Sequence, residues 1–300
     1  MTADYEFLLV DAPADGVRRI TLNRPEKRNA ISTPLRTELL DALRAHDNDP
    51  DVRVSIVRGA GPCFSAGYDL ASPLMADPPF YSAPGDGQWA RQAGETWFSL
   101  WDLAKPVIAQ IHGYAIAGAT ELASACDLVY VAEDARISYP VVRVASPPDW
   151  QYHTVLLGLR RAMELMLTGD AVDGVEAARI GFANRAYPAD RLEEEVLAIA
   201  ARVAGIPSEL TQINKRSVHR AFDVWGARAA IRAGTELTAL AAHTEAATRF
   251  RRDALAAVKA AVTGGPGGSG GSGGSARTTD PVGPEVSEVS EKAEEKPDGD

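Results

Sequence analysis

The stretch that decides the architecture reads Lys105-Pro106-Val107-Ile108-Ala109-Gln110-Ile111-His112-Gly113-Tyr114-Ala115-Ile116-Ala117-Gly118-Ala119-Thr120-Glu121-Leu122-Ala123-Ser124-Ala125-Cys126-Asp127. Val107 to Ile111 is a short, mostly apolar run behind a proline, the pattern of a buried parallel strand. A loop of small residues follows, and residues 119–124 continue as a short apolar helix. Small residues let a backbone approach a ligand closely, and the first turn of a helix presents N–H groups with no partner inside the helix. Glu121 sits near the start of that helix. Read alone, its carboxylate complements the helix dipole; partly buried, the same group becomes a general acid or base with a raised pKa.

A second loop of the same kind lies upstream, Phe64-Ser65-Ala66-Gly67-Tyr68-Asp69-Leu70, after a strand expected over 51–58. Two such loops meeting in space would hold a developing oxyanion between two N–H donors; each alone reads as a packing or turn glycine. Further out, Val17 to Leu22 alternates as a strand. Ser32-Thr33-Pro34 offers a hydroxyl cap and a first-turn proline to a helix striped by Leu35, Leu39, Leu40 and Leu43. A helix is expected over 88–103 and a strand from Leu128 to Ala132. This alternation specifies α/β architecture. Beyond Gln151 the pattern turns helical: 156–167, 174–180 with Gly181 as its stop, 191–203, 208–222 and a broken 227–258.

Composition sets the outer bounds. The 300 residues carry a formal charge of −10 and are 45% hydrophobic, enough for a substantial core. Half of that charge falls in 263–300, where a Gly/Ser run gives way to eight acidic and three basic residues. That segment cannot bury enough apolar surface to order itself and is expected to be a flexible tail, a passive linker or a tether offering Pro284-Glu285-Val286 to a partner. Residues 1–262 form the folded domain, helical from about 190. A mildly acidic body argues against nucleic acid and anionic membrane as partners. Cys63 and Cys126 provide neither a disulfide framework nor a zinc pattern, so no metal is expected. With no secretory leader pattern and no membrane-length apolar run, a cytoplasmic location is expected.

Taken together, these segments resemble the crotonase superfamily, the enoyl-CoA hydratase/isomerase family. Leu22-Asn23-Arg24-Pro25-Glu26-Lys27-Arg28-Asn29-Ala30 is similar to its LNRP…NA stretch, Ser65 to Leu70 to its AGxDL loop, and Lys105 to Asp127 to its KPVIAxxxGxAxGGGxELAxxCD core. Leu167-Thr168-Gly169-Asp170 with Glu176 to Phe182 is similar to its later LTG…EAxxxGLV signature. The resemblance implies a crotonase-like core of repeated ββα turns with a helical C-terminal region, assembled as a homotrimer or dimer of trimers. It implies an acyl-CoA substrate, with coenzyme A as part of that substrate and no other cofactor. The backbone N–H groups of Tyr68 and Gly118 would form the oxyanion hole, and Glu121 would match the first catalytic glutamate. Lys27, Arg28 and Ala30, with Ala66, Gly67, Asp69 and Leu70, would line the CoA and substrate path.

Where the family's second glutamate stands, in a segment like QPE, this chain has Val141, which handles no proton. Asp149 is read either as the N-cap of the next helix or as a replacement acid, with Tyr152 and His153 nearby. Phe80, Tyr81, Trp89, Trp97 and Trp101 suggest an apolar lid or core, and Trp150 packs or shapes an acyl pocket. His112 is expected to be structural; Lys215, Arg216 and His219 would build subunit contacts or reach a neighbour's CoA. The leading expectation is reversible addition of water to a 2-enoyl-CoA. Two alternatives stay open: other enolate chemistry on a CoA ester (isomerisation, decarboxylation or thioester hydrolysis), and a catalytically silent CoA-binding scaffold.

Overall fold

The structure, a computed structural model, describes residues 4–69, 72, 88–143, 147–250, 252, 253 and 256. Leu70, Phe80, Tyr81, the side chain of Trp89 and the expected tail at 263–300 lie outside the described residues.

The larger sheet has six strands in the order β1 (Leu8–Ala14), β2 (Val17–Leu22), β3 (Val54–Gly59), β4 (Val107–Ile111), β6 (Leu128–Ala132) and β9 (Arg185–Tyr187). Only β1 and β2 run antiparallel, through a turn in which Gly16 takes φ +69°. The other pairs are parallel. Central strand β4 is buried at every residue, which explains its lack of alternation. A smaller sheet joins β5 (Tyr114–Ile116), β7 (Arg136–Ser138) and β8 (Val172–Asp173). The chain passes from β4 through β5 into α3 (Gly118–Ala125), and from β6 through β7 towards α4 (His153–Thr168). This is the repeated ββα course.

Helices close both sides. In α1 (Thr33–Asn48) the Ser32 hydroxyl accepts the Leu35 N–H at 3.3 Å, and Leu35, Leu39 and Leu43 are buried. The first-turn cap is therefore the one the sequence indicates. α2 (Gln88–Asp102) follows before β4, and α5 (Gly174–Arg179) after β8. α6 (Leu192–Ala204) lies across the large sheet on Leu192, Val196, Ile199 and Ala200, an i, i+4, i+7, i+8 stripe. α7 (Ser208–Val224) and α8 (Ala227–Ala241) follow, and a break at 242–244 precedes helical residues 245–250.

Two boundaries depart from the sequence reading. β3 starts at Val54 rather than 51, because Asp49 Oδ1 accepts the Asp51 N–H at 2.9 Å and the Asp49 carbonyl accepts from Val52, closing a turn. α4 opens three residues before 156 with a turn that breaks at Gly158 (φ 74°, ψ 166°) before the main helix runs on to Thr168. Among the described residues no single helix is long and apolar enough to cross a membrane.

Candidate active site

The two glycine-bearing loops meet. Ser65 bridges Ala115 and Tyr68 bridges Ile31 in parallel register, so the 65–69 loop is laced between the start of α1 and strand β5. Gly67 takes φ +94°, and a Cβ there would lie 2.6 Å from the Ile116 carbonyl oxygen and 3.2 Å from the Gly118 nitrogen. Only glycine permits that approach. Gly118 is the first residue of α3, so its N–H has no partner within the helix. The residue before it, Ala117, is held at φ 52°, ψ −123°. Such a backbone costs about 1–3 kcal/mol for a residue with a Cβ and turns the peptide entering Gly118. Its own N–H is anchored on the Ser138 carbonyl at 2.9 Å, and its carbonyl accepts from Thr120.

Beneath this junction lies Glu121, fully buried in a helix whose every residue is buried. Its Oε2 accepts the Tyr68 phenol at 2.6 Å, and its Oε1 accepts the Asp149 backbone N–H at 3.1 Å. The Trp97 indole N–H donates to the Tyr68 oxygen at 2.8 Å. Burial first, and then the charge of Asp149, push the Glu121 carboxyl well above the usual range, against the pull of these donors. Burial and Glu121 hold the Tyr68 phenol protonated. Arg36, 3% exposed on α1, adds a positive charge that interacts with Tyr68, Asp149 and Glu121, while burial lowers its own pKa.

Asp149 does not cap the next helix. α4 starts at His153 with Tyr152 at its N-cap position, four and three residues further on. Asp149 is instead 6% exposed, and its backbone amide holds Glu121. The structure thus joins the two acids the sequence could only name. Val141 lies partly buried in the 3-10 turn Pro140–Arg143. Trp97 and Trp101 are core rather than lid, at 0% and 6% exposure, and Trp101 meets Trp150 edge-on at 5.2 Å.

The sequence profile of the enoyl-CoA hydratase/isomerase family matches residues 13–250. The chain belongs to this family. It is 34% identical over 222 residues to a "probable enoyl-CoA hydratase" of Mycobacterium tuberculosis, covering 73% of this chain and 83% of that one. It is 30% identical over 227 residues to a mitochondrial enoyl-CoA hydratase of Pongo abelii, covering 74% and 76%. Among solved structures, an enoyl-CoA hydratase from Mycobacterium smegmatis superposes with a TM-score of 0.76 at 32% identity, over 87% of this chain and 91% of that one. A monofunctional enoyl-CoA isomerase from the same organism superposes with a TM-score of 0.59 at 31% identity, over 72% and 94%. The architecture is the crotonase fold, as the motifs indicated.

In this enoyl-CoA hydratase/isomerase chain the expected CoA segment flanks the 65–69 loop. The Arg28 carbonyl accepts the Ala66 N–H at 2.9 Å, and the Asn29 carbonyl accepts the Ser65 hydroxyl at 2.8 Å. Arg24 binds Asp69 at 2.9 Å and the Ala30 carbonyl at 2.6 Å. Lys27 and Arg28 are exposed beside it, while Ala30 is half-buried. The organising residue is Asn29, fully buried, which accepts from Arg24 and donates to the carbonyls of Ala60 and Cys63. His112 is structural, with Nε2 2.9 Å from the Gly61 carbonyl.

Lys215 and His219, expected at subunit or CoA contacts, are bonded within this chain. Lys215 Nζ donates to the carbonyls of Leu100 and Lys105 and to Asp127, which also meets His219 Nε2 at 2.9 Å. An ammonium has three protons, and all three are committed within this chain. This cluster ties α7 to the entry of β4, and a cavity of about 460 Å³ lined by Trp101, Asp127, His219 and Phe222 opens beneath the helix. Cys63 and Cys126 are buried and free, and burial raises both thiol pKa values, so packing is their role.

Proposed function

We propose that this acyl-CoA enzyme adds water reversibly across the double bond of a 2-enoyl-CoA. One observation carries the reading: a fully buried glutamate lies at the junction of two backbone loops, with the backbone N–H of Asp149 on its Oε1. The N–H groups of Tyr68 and Gly118 polarise the thioester carbonyl and hold the oxyanion of the enolate. One such donor is worth about 3–4 kcal/mol of barrier. Burial and the charge of Asp149 both raise the Glu121 carboxyl, so the proton at neutral pH is assigned to Glu121 and the negative charge to Asp149.

That proton state supplies both halves of the reaction. The Asp149 carboxylate takes a proton from water as its oxygen bonds to carbon 3, and the π electrons move to the thioester oxygen. Glu121 then gives its proton to carbon 2 as the enolate collapses. The reverse sequence expels water. Asp149 thus takes over the duty that Val141 does not perform. Lys27 and Arg28, exposed beside Ala30, Ala66, Gly67 and Asp69, would meet the phosphates of the coenzyme A moiety.

Further features of the reading stand on separate observations. α7 buries none of its residues and exposes Ile213 and Val218, and Val224 and Trp225 at its end are 86% and 78% exposed. A face of that kind supports a homotrimer or dimer of trimers. Free, buried cysteines suit a reducing compartment such as the cytoplasm.

A second reading, other enolate chemistry on a CoA ester, is favoured by Val141 and by the likeness to a solved isomerase. Mass-resolved turnover of crotonyl-CoA and bulkier enoyl-CoA esters separates the two. A product heavier by one water supports hydration; an isomer of unchanged mass, carbon dioxide or free CoA supports the second reading. CoA-ester binding without any product would leave only a scaffold.

A further inference from the structure

Tyr68 enters the mechanism above only through its backbone N–H, yet its side chain hydrogen-bonds Glu121. The phenol oxygen lies 2.6 Å from Glu121 Oε2 and 2.8 Å from the indole nitrogen of Trp97. An indole N–H is a donor only, so it must occupy a lone pair of the phenol oxygen. The phenol proton then faces Oε2. These bonds run from the Trp97 N–H to the Tyr68 oxygen and from the Tyr68 O–H to Glu121.

Both ends of the chain are held. Trp97 is fully buried on α2, and the Tyr68 ring lies flat on the Gly118 backbone, so close that a Cβ at 118 would sit 2.6 Å from two ring atoms. On the far side, the Asp149 N–H holds Oε1. Each Glu121 oxygen therefore has a fixed donor, and the Trp150 backbone N–H adds a further bond to the carboxylate. The carboxyl cannot rotate without breaking a bond, so the lone pair that carries the transferable proton keeps one direction.

We propose that the Tyr68 phenol, aimed by the Trp97 indole, is a positioning residue that holds Glu121 Oε2 and tunes that carboxyl for proton transfer. This rests on Glu121 being the proton carrier. Burial and Asp149 both favour the neutral carboxyl, and without a counterweight the proton would be bound too tightly to release. A phenol O–H donated to Oε2 stabilises the anion. The indole polarises that O–H and strengthens it as a donor. Tyr68 thereby joins the two parts of the site, its amide at the oxyanion and its ring at the acid.

The test uses the full chain and two substitutions. Tyr68→Phe keeps the ring on Gly118 and the backbone amide, and removes only the hydroxyl; Trp97→Phe removes the aiming donor together with part of a fully buried ring. Infrared difference titration of the free enzyme, with Glu121→Gln as subtraction control, reads the Glu121 carboxyl directly. The apparent pKa is expected to rise by about one to two units in Tyr68→Phe, a ten- to hundredfold gain in proton affinity, and by less in Trp97→Phe. The matching limb of the kcat/KM profile should move upward with it, with kcat falling and KM nearly constant. A Glu121 titration unmoved by Tyr68→Phe overturns the proposal even if kcat falls, because loss of packing alone would lower kcat without moving a titration. Should Tyr68→Phe fail to fold, Trp97→Phe decides: an upward move supports the proposal and no move overturns it. If the wild type adds no water, the hydration reading fails separately, and the titration still reports on the phenol.

Discussion

Replacing Gly118 by alanine adds one methyl group where the Tyr68 ring rests on the backbone. Its Cβ would stand 2.6 Å from two ring atoms and 2.9 Å from a third, inside any carbon–carbon packing distance. Gly118 opens α3, so alanine there gains at most the roughly 1 kcal/mol that this exchange gives in a helix interior. The ring must therefore move, and the phenol moves with it, losing Glu121 at one side and the Trp97 indole at the other. Overpacking of this kind costs about 1–3 kcal/mol. A lost hydrogen bond to an ionisable partner adds about 1.5–3 kcal/mol. Allowing for the helix gain, the variant should lose about 2–4 kcal/mol of unfolding free energy. Urea unfolding measures it, repeated in a Tyr68→Ala background where the ring is gone. There the same methyl should cost less than about 1 kcal/mol, so the two sites couple by 1–3 kcal/mol. Turnover should not return in the double variant, since the oxyanion side stays disturbed. Equal costs in both backgrounds would refute the reasoning, because the conflict would then lie away from the Tyr68 ring.

Acid should weaken the fold through His153, whose burial pushes its pKa down to about 3. Its unfolded value is near 6.5, so the unfolded chain binds the extra proton; the stabilisation is complete above pH 6.5 and is lost progressively as pH falls towards 3. At pH 5 the loss should be about 2 kcal/mol, and His153→Phe should remove that share of the slope in urea titrations between pH 8 and 5. His46, pushed to about 4 by burial, keeps a residual slope of the same sign; parallel curves for wild type and variant would sink this assignment. Removing 263–300 should leave kcat/KM and the urea midpoint unchanged, whereas a loss above about 1 kcal/mol would make the segment part of the folded unit.

The long, strongly patterned elements were legible in the sequence. β4 and β6 run from Val107 to Ile111 and from Leu128 to Ala132, where a mostly apolar run marks a strand buried on both faces. Strands β5, β7, β8 and β9 were not, because two or three residues carry no period to detect. At the site, Glu121, Gly67 and Gly118 could be named from spacing and resemblance, since backbone approach demands small residues in order. The side-chain bonds could not. Tyr68 and Trp97 are 29 residues apart, and Glu121 and Asp149 are 28 apart, so only tertiary packing of the 65–69 loop, α2, α3 and the segment before α4 brings them together. Asp149 misled because acid before helix is a common cap pattern, and the loop continues to Tyr152 before α4 begins. Arg36 did leave a signal: it precedes Leu39 and Leu43 by three and seven residues, which puts a cation on the buried face of α1.

Proton transfer by Glu121 during addition of water is the central claim, and one comparison tests it most directly. Full-length wild type and Glu121→Gln would be given crotonyl-CoA and the products resolved by mass. The account predicts a wild-type product heavier by one water, and a fall in kcat of about 10²–10⁴ in the variant with binding of the CoA ester retained. Undiminished water addition by Glu121→Gln would contradict it.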